Sequence, residues 1–129
     1  MTTTKTDRAF DQAKAQLESI IEMVAALNTQ DDDFVQEETR QAIQDDPLSV
    51  EVRSGWTILE APLEPAEYTI LLCTGGPAVR IIGTLGRYQE PDDARLEYQD
   101  WGIPWTPYPT TTEDEDALVE YARQFYFGS

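Results

Sequence analysis

Residues 68–85 read YTILLC-TGGP-AVRIIGTL, and this stretch decides the fold. Two apolar, β-branched runs, Tyr68–Cys73 and Ala78–Leu85, flank Thr74, Gly75, Gly76 and Pro77. Runs of six to eight residues around a glycine turn are too short for helices and fit an antiparallel hairpin. Because neither run alternates with charge, both strands belong at the centre of a sheet.

Working outward, Leu48, Val50 and Val52 alternate with Ser49, Glu51 and Arg53, which predicts a half-buried strand ending near Gly55. Trp56 and Ile58 extend that alternation beyond a kink. Glu60–Ala66, with Pro62 and Pro65, reads as a loop. On the other side, Gln89, Glu90, Pro91 and Asp92 make a turn into a fourth strand, Arg95–Trp101, with Leu96 and Tyr98 on one face. The stretch Gly102–Thr112 contains Pro104, Pro107 and Pro109, which exclude a regular helix, and Ile103, Trp105 and Tyr108, which pin it to the domain.

Helices occupy the two ends. Phe10, Ala13, Leu17, Ile20, Ile21, Val24 and Leu27 recur at three- and four-residue steps, predicting an amphipathic helix over about Asp7–Leu27 after a flexible tail at Met1–Lys5. A second helix is expected over Asp32–Gln44, with Phe34, Val35, Ala42 and Ile43 facing the core and Pro47 ending it. The third opens at Thr112 and Glu115, in capping-box spacing, and lines up Leu118, Tyr121, Ala122 and Phe125. The expected architecture is α+β in one domain over 1–129: a single antiparallel meander of about four strands, one face covered by two N-terminal helices and one C-terminal helix.

Composition restricts the chemistry. The chain has 129 residues, 40% of them hydrophobic, which is enough for one core. It contains no histidine and one cysteine, so Ser-His-Asp and Cys-His nucleophilic sets and Cys/His zinc sites are excluded. Gly75-Gly76-Pro77 lacks the Lys-Ser/Thr of a phosphate loop, and Pro77 removes a donor. Asp31, Asp32 and Asp33 lack EF-hand spacing and suit a helix start instead. Asp92, Asp93, Glu97 and Asp100 fall on two faces of a strand, which does not make a paired acid and base. No catalytic, cofactor or metal site is assigned. Carboxylates remain abundant, so a carboxylate-only metal-dependent enzyme stays open as an alternative.

The charge is lopsided, 25 acids against 9 bases for a net -16, which repels nucleic-acid phosphates and anionic lipids. Residues 31–47 hold seven acids and one base, and residues 113–129 hold five and one, whereas 67–86 hold one of each. The negative field therefore rides on helices and loops, where it steers the protein toward a basic partner or serves solubility alone. Tyr98, Trp101, Trp105 and Tyr108 cluster around Asp100, and such aromatics serve equally as interface anchors and as core. The expected partner-contacting set is Asp31, Asp32, Asp33, Tyr98, Asp100, Trp101, Trp105, Tyr108, Glu113, Asp114 and Asp116. Lone Cys73, the lack of an apolar leader at Met1–Lys5 and the shortness of every apolar run lead to a reduced, cytoplasmic protein with no membrane span.

Val52–Trp56, Ile70–Ile82 (ILLCTGGPAVRII) and Ala94–Thr106 (ARLEYQDWGIPWT) resemble segments of small acidic proteins of tailed bacteriophages and prophages, a group with no assigned activity. The resemblance covers about residues 48–127. It implies an infected bacterial cytoplasm, where such proteins bind and block basic host proteins that handle nucleic acid or act in defence, some by imitating the charge of DNA. A homo-oligomeric assembly role is the remaining alternative.

Overall fold

The computed structural model describes residues 5–29, 32–100, 102–125 and 127. The described residues form three helices and one five-stranded sheet. In chain order these are α1 (Lys5–Thr29), α2 (Asp33–Asp45), β1 (Ser49–Ser54), β2 (Pro65–Cys73), β3 (Ala78–Thr84), β4 (Arg95–Gln99), β5 (Thr106–Pro107) and α3 (Thr112–Ala122). The strands lie in the order β1-β2-β3-β4-β5, every neighbouring pair antiparallel. The α+β meander expected from the sequence is thus present, with five strands in place of four.

The added strand lies inside the proline-rich stretch. Thr106 pairs with Tyr98 and Pro107 with Glu97. A proline is tolerated there because an edge strand has one side with no ladder bond to donate. The central hairpin turns where expected: Gly75 (φ 102°) and Gly76 (φ 146°) occupy backbone conformations that only glycine adopts without strain. Lys5, expected in the tail, opens α1, while Met1–Thr4 lie outside the described residues.

Cross-strand pairs define the buried face. Ile70 pairs with Ile81 and Ile81 with Leu96, and Tyr68, Leu72, Val79 and Tyr98 join them. Helix α1 lays Ala9, Ala13, Leu17, Ile20, Val24 and Leu27 on this face, packing against β3 and β4. Their i, i+3, i+4 spacing builds one continuous apolar stripe. From α3 come Leu118, Tyr121 and Ala122, and from α2 only Ile43. Against expectation, Phe34 (71% exposed) and Ala42 face outward. The α3 cap also sits one residue earlier than its spacing indicated: Thr111 and Asp114 form the capping box.

Strand β1 departs most from its expected environment. Val50 lies opposite Ile70 and Val52 opposite Tyr68, so both belong to the core face. Yet Leu48, Val50 and Val52 are 60%, 37% and 47% exposed. The alternation is correct and the cover is missing, because the helices sit over the middle of the sheet. Trp56 and Ile58 are not strand at all; they belong to an exposed connection between β1 and β2.

Candidate functional site

Two of the expected contact residues are interior. The period-2 pattern of β4 carries Leu96, Tyr98 and Asp100 to the same face, and that face is the core: Tyr98 is 7% and Asp100 1% exposed. The Asp100 carboxylate is met by Arg8 of α1, whose Nε and Nη2 donate to Oδ2 at 3.0 and 2.8 Å. It ties the first helix to the end of β4 and is not available to a partner. An alternating pattern assigns a residue to a face, and a carboxylate stays on a buried face only with such a cation.

Beside this ion pair an aromatic corner forms. Phe10 of α1 sits between Tyr98 (5.9 Å between centroids, edge-on) and Tyr108 (4.8 Å, tilted). Tyr108 remains half-buried. Its hydroxyl is held above the ordinary phenol value by burial first, then by the negative charges of Asp114, Glu18 and Asp11. Asp11 and Glu18 lie on α1 and are exposed; Asp114 lies on the first turn of α3. Asp114 accepts from the Thr111 backbone N–H at 3.0 Å, which closes the capping box and orients the carboxylate. Glu113, on the same turn, and Asp116, just beyond it, are exposed. Carboxylates from two helices therefore act on the hydroxyl of one half-buried tyrosine.

The acids of α2 lie elsewhere. Asp32 caps that helix, its Oδ1 accepting from Phe34 N–H at 2.8 Å, and Asp33 follows, exposed. The C-terminal half of α2 meets the C-terminal end of α3: Arg40 and Gln44 both donate to Gln124, and the Tyr121 hydroxyl donates to Asp46 at 2.7 Å. These bonds join α2 and α3 at their C-terminal ends, and among the described residues no hydrogen bond or ion pair links Asp32 or Asp33 to Glu113, Asp114 or Asp116. Asp31 and Trp101 lie outside the described residues. Trp105, half-buried, stacks under the Arg80 guanidinium at 4.2 Å on the sheet face that bears no helix.

That open face is charge-balanced. Glu51, Glu67 and Glu97 stand among Arg53, Arg80 and Arg95, with ion pairs from Arg53 to Glu67 and from Arg80 to Glu97. A shallow groove of about 360 Å³ runs over Glu51, Arg53, Glu67, Arg80 and Ile82. At its end is an apolar tip that the sequence reading missed: Trp56, Ile58, Leu59 and Leu63 are exposed by 105%, 84%, 90% and 73%. The available signal was four large apolar residues in a stretch broken by Pro62, which cannot all enter a core.

Among the described residues, no group of three or more His, Cys, Asp or Glu side chains is placed to hold a metal ion, and no helix is long and apolar enough to cross a membrane. Comparison with family models, curated proteins and solved structures finds no match.

Proposed function

We propose that this chain is a non-catalytic acidic binding protein that docks on, and blocks, a basic host protein such as a nucleic-acid-handling or defence protein, in the phage setting its sequence resemblance implies. The observation that carries the reading is the aromatic corner where Phe10 packs on the half-buried Tyr108, with acids of α1 and α3 close enough for the charges of Asp114, Glu18 and Asp11 to act on the Tyr108 hydroxyl. A lysine or arginine arriving there meets acidic helix surfaces beside an aromatic ring, the two features that favour a cation. The remaining acids of α2 and α3 add the long-range field that speeds encounter.

The test is capture from bacterial lysate at low and high salt, followed by titration of the purified partner. An Asp11→Asn/Glu18→Gln variant spares Asp114 and hence the α3 cap. It is expected to bind about tenfold more weakly, while neutralising Asp33 and Glu37 on α2 has a smaller effect. Equal binding by wild type and the Asp11/Glu18 variant, or the lack of any specific basic partner, would overturn the reading.

A further inference from the structure

The backbone ladder shows which groups of β1 are open. Leu85 N–H donates to the Ala66 carbonyl, so the even-numbered residues of β2 bond to β3 and its odd-numbered Glu67, Thr69 and Leu71 bond to β1. Their β1 partners Arg53, Glu51 and Ser49 turn inward, which leaves the N–H and C=O groups of Val50 and Val52 directed away from the sheet. The strand SVEVRS has none of the usual edge protection from lysine or proline, and its one register shift falls at its end, between Arg53 and Ser54.

We infer that β1 pairs with β1 of a second copy of this chain, antiparallel about a two-fold axis at Val52, joining two five-stranded sheets into one. Charge selects the occupant and the register. With the axis at Val52, Glu51 of each copy lies opposite Arg53 of the other, giving two symmetric ion pairs. With the axis at position 51 or 53, Glu51 or Arg53 faces its own counterpart and the like charges repel. The Val52 register also brings the outward groups of Val52 into mutual hydrogen bonds and sets the exposed Val52 side chain against its equivalent, with the exposed Val50 opposite Ser54 of the second copy. Glu51 is exposed and makes no ion pair within its own chain among the described residues. The edge strand itself carries one acid and one base, so its own charge is balanced.

Light scattering over a wide concentration series, with hydrogen exchange read at the Val50 and Val52 amides, tests this. Wild type is expected to form a dimer with slowed exchange at both amides as concentration rises. Glu51→Arg and Arg53→Glu each place like charges opposite in both symmetric pairs, and each alone is expected to weaken dimerisation about tenfold or more. Mixed together they restore complementarity, and a heterodimer of about wild-type strength is expected. That rescue separates a pairing effect from a folding defect. A monomeric wild type, a dimer in which Val50 and Val52 exchange freely, or a mixture no stronger than its components would each overturn the inference.

Discussion

Replacing Arg8 by methionine keeps most of the aliphatic stem and removes the cation facing Asp100. The carboxylate side chain is 0% exposed and receives both donors on one oxygen, at 3.0 and 2.8 Å, while the Arg8 side chain is 52% exposed. Breaking a fully buried pair typically costs about 3–5 kcal/mol. Solvent reaches Arg8, which screens the native attraction, so about 2–3 kcal/mol is expected here. For a chain of this length that lowers the Tm by roughly 10 °C. Asp100→Asn tests the same pair from the other side, since it keeps the shape and discards the charge. Because the two residues act on each other, the double variant is expected to lose less than the sum of the singles, with a coupling of about 1–2 kcal/mol. Urea denaturation followed by circular dichroism at neutral pH supplies all three values. Strict additivity, or an Arg8→Met variant within about 0.5 kcal/mol of wild type, would refute the reasoning, since the first residues of α1 would then not be fastened to β4 through this contact.

Three further outcomes follow from local geometry. Gly83→Ala would set a methyl 2.2 Å from the Asp93 carbonyl oxygen and 2.8 Å from the Tyr68 ring, so a loss of about 3 kcal/mol or more is expected by chemical denaturation. Adding Tyr68→Phe is not expected to rescue it, because the carbonyl contact remains. Burial is the main cause that raises the phenols of Tyr68 and Tyr121 far above their ordinary value of 10.0. Above about pH 10 the unfolded chain releases these protons while the native state keeps them, so stability falls as pH rises there; Tyr121→Phe is expected to flatten that slope in alkaline melts. Burial also pushes the Cys73 thiol up, outweighing hydrogen bonds from the Val79 backbone, Gln12 and Gln16 that lower it. Labelling of Cys73 by a thiol reagent at mildly alkaline pH is expected to be slower than that of a free thiol, and to reach the free rate in denaturant.

Covalent pattern alone determined the helices of the two ends, the central hairpin and the faces of its strands, because each rests on a local period or a turn that only glycine completes. The stripe Ala13–Leu17–Ile20–Val24–Leu27 and the pair Gly75–Gly76 required no knowledge of their neighbours. Cover is a different matter, since it depends on where a distant layer comes to rest. Identical alternation in β1 and β4 leads to exposed Val52 in one and buried Tyr98 and Asp100 in the other, because α1 lies over β3 and β4 and leaves the β1 edge bare. The same distinction governs charge. That acids crowd the helix starts was legible from Asp32 and Asp114, whose capping is local. Only tertiary folding brings Asp11 and Glu18 of α1 within electrostatic reach of the tyrosine that Asp114 of α3 also acts on, and joins Arg40, Gln44 and Asp46 to residues at the end of α3. Period and propensity act over a few residues, whereas burial and field are sums over groups that the chain brings together from its full length.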